Sequence, residues 1–487
     1  MAAERAALLL LVPLACGCAK DRPGAVPVET DPTTQTRSGD LKGVACGPRG
    51  LPPEQHFVSE GLCARVMAYD QGRLRGLTFA PNGDLYAVTI GGDIKRYRDV
   101  DHDGVFGKDP PETITWAKLG TDQGHNCFLD GEQLYCGTKS GVKRWRVQAD
   151  TNQGGAGEDV VVGAPEGGRH PKHPVGVWDG FLYVVSGSAA NAIDPMPADY
   201  DRNRGVVKRF ALAKLQPGKP LHWNNGELFA RGLRNLTAFG RDPHGRIIGV
   251  DNGLDDLRYR GEDVHDDNPA EIVVHVGQGK AYGWPFCFYA QRIVRDGQVI
   301  PPGTPLAAEV ASSPIPVVKE IMKDTKSNKS DAWCAANTAP ITSFVQAHSS
   351  ALGIVFPPPN ATFALPPRWQ NGAFIALHGS WNRSPSTGNK VVWLPIGQDG
   401  QIPMPTSTAE QTEFPYEVVF GGGKHGTPKD GDWSWRVGEA NEDSVRPTSV
   451  ALSPVDGALY VASDNAGGSD PTRSKSGAIY RIAILGR

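Results

Sequence analysis

Along this chain the hydrophobic and polar positions fall into a phrase that recurs six times: an apolar strand, an Asx-Gly turn, then a strand of the Leu-Tyr-Val type. It reads GLTFAPNGDLYAV from Gly76, NCFLDGEQLYCG from Asn126 and VGVWDGFLYVV from Val175. It returns as LTAFGRDPHGRIIGV from Leu236, as LGIVFPP with NGAFIAL from Leu352, and as TSVALSPVDGALYVA from Thr448. A further strand follows several copies, in DIKRYRD, GVKRWRV and AIYRI. Each copy has room for a small antiparallel sheet, so the pattern predicts an all-β chain. Packing six such sheets radially leaves only short, protected edges, which predicts a six-bladed β-propeller. A β-sandwich pair or a β-helix would use similar strands. The period is uneven, roughly fifty residues early and about twice that late, which disfavours the helix.

Composition narrows the picture. Gly 59 and Pro 40 in 487 residues suit many tight turns, and the net charge of −3 without a basic block argues against a nucleic-acid partner. At the N-terminus, Ala6 to Ala15 is an apolar stretch of signal-peptide length, too short to cross a bilayer. The following Leu-Ala-Cys-Gly-Cys resembles a bacterial lipoprotein processing site, with Cys18 the lipidated residue or Cys16 the alternative. Residues 1–18 therefore read as a leader and 19–40 as a Pro- and Thr-rich tether. Residues 41–487 read as the propeller, interrupted by an insertion at about 286–343. Export is expected, to the periplasm or cell envelope, with membrane contact only through a lipid anchor. Outside the leader remain Cys46, Cys63, Cys127, Cys136, Cys287 and Cys334. Six cysteines allow fifteen pairings, of which sequence neighbours (46–63, 127–136, 287–334) are the simplest. Cys127 and Cys136 flank FLDGEQLY, which predicts a hairpin turning at Asp130–Gly131.

Basic residues stand just before each phrase: Arg75, His125, His170 with His173, Arg234, His348 and Arg446. If every phrase begins the strand nearest the axis, these side chains converge on one channel mouth. A converging ring of guanidinium and imidazole groups calls for an anionic occupant; the plain alternative is six solvated strand starts. HGSWNR after the fifth copy adds His378, Trp381 and Arg383, an aromatic face and a cation suited to a flat polyanion. In VDNGLDDL, carbonyls at the Asn252–Gly253–Leu254 turn with Asp255 and Asp256 suit Ca²⁺ or form an acidic surface turn. DVDHDG places Asp99, Asp101 and Asp103 as a Ca²⁺ loop begins, but Pro110 holds the twelfth position; a structural Ca²⁺ loop and a plain turn both stand.

GLRN at 232–235, NGLDD at 252–256, YGWPFC at 282–287, HGSWNR and the closing RPTSVALSPVDGALYVASD together resemble the glucose/sorbosone dehydrogenase family, closer to its sorbosone branch. The resemblance runs from about Gly61 to Arg481 and implies an exported quinoprotein that uses pyrroloquinoline quinone (PQQ) and Ca²⁺ to oxidise a sugar. It implies His170 as catalytic base, with His173 the alternative, and Arg234 and Asn235 beside the quinone oxygens. Gly253 and Leu254, with Asp255 nearby, would hold the active-site Ca²⁺. Arg75, His348, His378, Trp381, Arg383 and Arg446 would complete the cofactor contacts. The family's glucose branch clamps a PQQ carboxylate with a lysine that has no clear counterpart here. With no haem motif in the chain, electrons would leave to a separate acceptor, a cytochrome or a quinone. The competing readings are a non-catalytic surface propeller that binds a partner or glycan, and a Ca²⁺-dependent propeller hydrolase of lactonase type. Fold alone does not choose among the three.

Overall fold

The computed structural model describes residues 57–107, 112–120, 124–148, 152–192, 203–311, 325–359, 364–380, 382–384, 387–421, 445–464 and 477–484. The leader, the tether, Cys46, Pro110 and Trp381 lie outside the described residues. Six sheets form the blades, and each begins with one copy of the repeated phrase. Their first strands are Leu74–Phe79, Cys127–Asp130, Val175–Trp178, Leu236–Arg241, Ala351–Val355 and Pro447–Leu452. These strands touch one another in chain order, and the last touches the first, so they close a ring about the axis. The chain is a six-bladed β-propeller. Its sixth blade is completed from the other end of the sequence: Leu62–Ala68 pairs antiparallel with Ala478–Ile484 as the outer strand. Among the described residues no helix is long and apolar enough to cross a membrane.

Radial packing explains why the second strands read as almost unbroken apolar runs. Side chains alternate across a strand, and here both faces press on a neighbouring blade. In Gly372–Leu377 of blade 5, Ile375 and Leu377 pack with Val250 and Val273 of blade 4. Phe374 and Ala376 point the other way, onto Val450 and Val461 of blade 6. Burying a side chain such as Phe374 contributes about 1.5–3 kcal/mol.

Two features of this frame shape the channel mouth. In blades 1, 4, 5 and 6 the register slips at the second residue of the first strand, making Arg75, Thr237, Leu352 and Thr448 extra residues. A bulge leaves its extra residue outside the ladder and re-aims its side chain. In blade 1 the residue so freed is Arg75. Beside it, a Cβ on Gly76 would stand 2.7 Å from the His125 carbonyl oxygen, so only glycine lets blade 1 press against the entry to blade 2.

The 286–343 stretch is spliced between the third strand of blade 4, Glu271–His275, and its outer strand, Ser343–Val345. It thus interrupts a blade without breaking the inner ring. A Cys287–Cys334 disulfide ties it down, with Cys334 on the helix Asp331–Asn337, whose first turn is capped by the Ser330 hydroxyl. Cys127 and Cys136 are direct register partners and are bridged. Their hairpin turns at Gly131–Glu132, one residue later than the sequence suggested. Cys63 is also disulfide-bonded; its expected partner, Cys46, is not among the described residues.

Candidate active site

Two buried carboxylates organise most of the basic residues at the mouth where the first strands begin. Asp464, just past the second strand of blade 6, accepts Arg75 Nη2 at 2.8 Å and His378 Nε2 at 3.0 Å. Arg446 Nη2 lies 3.1 Å from His378 Nδ1. That pair of contacts fixes the ring: Nε2 carries the proton, donated to Asp464, and Nδ1 accepts from the guanidinium. Burial, with Arg446 next, holds the His378 pKa down at about 3, so the imidazole is neutral. Asp464 is held well below the usual carboxylate range by Arg75, His378 and Arg446, which outweigh its burial.

Asp255, from the NGLDD turn of blade 4, is the second centre. Its Oδ2 lies 2.5 Å from Arg234 Nη2 and 2.9 Å from Arg169 Nη2. Arg234 is used at every nitrogen: Nε and Nη2 reach the carbonyl and side-chain oxygens of Asn191, and Nη1 reaches the Asn252 carbonyl. Its backbone N–H and that of Asn235 both donate to Asp251, at 2.9 and 2.7 Å. His348 Nδ1 stands 3.9 Å from Asp255, but its Nε2 lies 2.6 and 2.9 Å from the carbonyls of His265 and Asn268. Two carbonyls at Nε2 keep the proton there, so the long Nδ1 approach is not an ion pair.

The entry to blade 3, residues 169–173, differs. His170 Nδ1 is 2.7 Å from the Ser188 hydroxyl, while its Nε2 makes no hydrogen bond among the described residues. Burial, then Arg234 and Arg169, push its pKa well below the usual histidine value, so it is neutral at pH 7. His173 is a wall component. Its Nδ1 lies 2.8 Å from the Val185 carbonyl, its Nε2 3.2 Å from that of Pro165, and its ring packs near Trp223. Of the two histidines, only His170 keeps a nitrogen available to a ligand. Across the channel, His125 Nε2 lies 3.2 Å from the Thr237 carbonyl, joining blade 2 to blade 4.

The remaining expected residues divide. Arg383 is committed to the Asp266 carbonyl and, at 2.9 Å, to Asp267. Asp255 is held by two guanidinium groups, whereas no hydrogen bond among the described residues ends on the Gly253 or Leu254 carbonyl. Asp99, Asp101 and Asp103 do gather, each with one carboxylate oxygen within 4.8 Å of the others. Asp464, Arg169, Asn191 and Ser188 went unnoticed in the sequence. One signal was present: acidic residues close two second-strand phrases, Asp251 in IIGVD and Asp464 in YVASD.

Several polar atoms at the mouth have no partner among the described residues: Arg75 Nε, His125 Nδ1 and Asn252 Oδ1 are buried and unsatisfied. The Asn235 side chain likewise makes no hydrogen bond among the described residues. Buried polar groups are ordinarily paired, so orphans gathered around one opening mark a place built for a polar ligand. The guanidinium groups of Arg73, Arg75, Arg169, Arg234 and Arg446 outnumber Asp255 and Asp464 there, which favours an anionic ligand.

Fold and site together define a six-bladed propeller with an anion-seeking mouth and a neutral histidine inside it. The chain belongs to the TrAA12-like family, whose model matches residues 56–468. The pyrroloquinoline quinone-dependent pyranose dehydrogenase of Coprinopsis cinerea is 27% identical over 298 residues, 59% of this chain; the chain spans only 37% of that relative's length. The pyrroloquinoline quinone-dependent sugar dehydrogenase of Hypocrea jecorina is 24% identical over 429 residues, 85% of this chain and 86% of the relative. A calcium structure of the Trichoderma reesei carbohydrate-active enzyme of family AA12 superposes with a TM-score of 0.68 at 22% identity, covering 88% of this chain and 97% of the other.

Proposed function

We propose that this chain is a PQQ-dependent sugar dehydrogenase with His170 as its base. The carrying observation is a neutral His170 whose Nε2 makes no hydrogen bond among the described residues, inside a mouth with excess positive charge and unsatisfied polar atoms. The names of the two relatives support a sugar as the substrate class, in place of the narrower glucose or sorbosone. PQQ, a flat tricarboxylate, matches the excess of cations. The carbonyls of Gly253 and Leu254, without a hydrogen bond among the described residues, are hard oxygen ligands of the kind Ca²⁺ takes. Asp255, held by Arg169 and Arg234, steadies that turn rather than serving as a ligand.

The residues divide the work as follows. Ser188 accepts from His170 Nδ1–H, which leaves Nε2 as the lone pair that removes the substrate hydroxyl proton. Burial, then Arg234 and Arg169, keep the imidazole deprotonated before the ligand arrives; an anionic occupant offsets the arginines' field and makes His170 a stronger base. When bound, the quinone supplies the two-electron acceptor that no side chain can provide. Export, lipidation at Cys18 and a separate electron acceptor belong to the same reading.

The test is an absorbance titration of the purified full chain with PQQ and Ca²⁺, followed by dye reduction with a panel of sugars. A saturable spectral change with sugar-dependent reduction is expected. No spectral change and no reduction would favour a binding propeller, and lactone hydrolysis without PQQ would favour the hydrolase.

A further inference from the structure

The proposed function leaves Asn382 and Arg383 of the HGSWNR corner without a role. The corner follows Gly372–Leu377, the second strand of blade 5, and its base is closed on itself. The Ser380 N–H donates to the Thr387 carbonyl and the Thr387 N–H to the Ser380 hydroxyl, both at 2.8 Å. Its tip meets the loop of blade 4 that runs from Ile247–Asp251 to Glu271–His275. There Arg383 takes the Asp266 carbonyl and Asp267, and the Ser384 N–H donates to Asp266 Oδ1 at 2.7 Å.

Asn382 is buried and meets Asp256 of that loop twice. The Asp256 N–H donates to Asn382 Oδ1 at 2.9 Å, and Asn382 Nδ2 donates to Asp256 Oδ1 at 2.7 Å. The two contacts fix the amide, since only one orientation sets its oxygen against the N–H and its nitrogen against the carboxylate. An aspartate here would face a second carboxylate, and an alanine would leave both partners unpaired.

Asp256 closes the NGLDD turn. Its φ of 52° is left-handed, a conformation that a non-glycine residue keeps only with outside support. Ala311 of the insertion donates to its carbonyl at 3.0 Å. One residue earlier the turn is pinned from the opposite flank, where Asn191 of blade 3 accepts the Asp255 N–H at 2.9 Å. Between these anchors and the Gly253 N–H bond to Glu271, the Gly253 and Leu254 carbonyls accept no hydrogen bond among the described residues. A small cavity lined by Gly253, Leu254 and Phe288 borders the turn. A turn beside a cavity is aimed by its hydrogen bonds more than by packing.

We infer that Asn382 is a positioning residue for the metal: by gripping Asp256 from blade 5 it sets the aim of the Gly253 and Leu254 carbonyls toward Ca²⁺, without touching the ion. The inference rests on the function proposed above. The rival reading makes Asp256 itself a ligand, since its Oδ2 is buried and makes no hydrogen bond among the described residues.

The experiment compares wild type, Asn382→Ala, Asp256→Ala, Asp256→Asn and the double alanine variant, as full chains stripped of metal by a chelator. Ca²⁺ is titrated into each with PQQ present, and the quinone absorbance change is read against a protein-free blank. That signal reports the metal at this turn and not one at Asp99, Asp101 and Asp103. Titrations run well below every thermal midpoint, so only folded protein is read. Asn382→Ala and Asp256→Ala should each raise the Ca²⁺ dissociation constant about tenfold, as for the loss of two hydrogen bonds. The double variant should bind no worse than either single one, because the pair acts as a unit. Asp256→Asn keeps an oxygen for Asn382 Nδ2 as well as its own N–H, so its affinity should stay within a few-fold of wild type. Unchanged affinity in Asn382→Ala overturns the inference: the pair then only joins two blades, and the proposed function stands. Additive losses in the double variant overturn it as well. So does an Asp256→Asn variant as weak as Asp256→Ala, which makes Asp256 a ligand. A wild type without any Ca²⁺-dependent spectral change sinks the proposed function, and the inference with it.

Discussion

His378 and His170 both stand among arginines at one channel mouth, yet their surroundings differ. His378 gives its proton to Asp464 and its lone pair to Arg446, and Asp464 takes Arg75 as well. On this side, where blades 5, 6 and 1 meet, a buried carboxylate takes up His378 and one nitrogen of Arg75. On the side of blade 3, His170 Nε2 makes no hydrogen bond among the described residues. On the proposed function, the first side holds blades together and the second receives the ligand. Identical residue types thus serve structure or chemistry according to whether a carboxylate has been placed beside them.

The comparison can be broken on either side. The largest effect is expected from Asp464→Asn, which leaves Arg75, His378 and Arg446 without their counter-ion. Breaking a buried pair costs about 3–5 kcal/mol, read as a shift in the denaturant midpoint at pH 7. The sign with pH is set by the folded pKa lying below the unfolded one. Asp464 stabilises the fold above the ordinary carboxylate pKa, and that contribution is lost as pH falls through its depressed folded value. The variant's stability should therefore be flatter than wild type across acid pH.

A smaller effect of opposite sign is expected from Glu271→Gln. Glu271 is buried, accepts from the Gly253 N–H at 3.1 Å, and has its pKa raised to about 8, chiefly by burial. The folded state therefore binds a proton that the unfolded chain has released. Wild-type stability falls as pH rises from the unfolded glutamate pKa to about 8. The amide keeps an acceptor for Gly253 without the charge. Thermal denaturation should show a gain of roughly 1–3 kcal/mol at pH 8 and little change at pH 5.

The sequence made the ring legible and the partners illegible. Runs such as FLYVVS and AFIAL are apolar at successive positions because both faces of the strand meet a blade, and Asx-Gly turns mark each hairpin. These are local signals, and they sufficed for six blades. Arg75, His378, Arg446 and Asp464 span 390 positions, and no local pattern says which carboxylate answers which cation. The slip at Arg75 that aims its side chain is a pairing feature, also invisible in one strand. Arg234 was read as a cofactor contact, while the structure places all its nitrogens on Asn191, Asn252 and Asp255.

The central claim, that the side of blade 3 is the chemical one, is tested most directly by His170→Ala and His173→Ala measured side by side for sugar-dependent turnover and for melting temperature. The account predicts that His170→Ala keeps its melting temperature and binds PQQ, yet loses about 10²–10⁴-fold in turnover, as for a missing general base. His173→Ala should melt earlier, having left the Val185 carbonyl without its donor and a hole in the blade wall, yet turn over at near the wild-type rate per folded molecule. The reverse pattern, with turnover lost at His173 and retained at His170, would contradict the account.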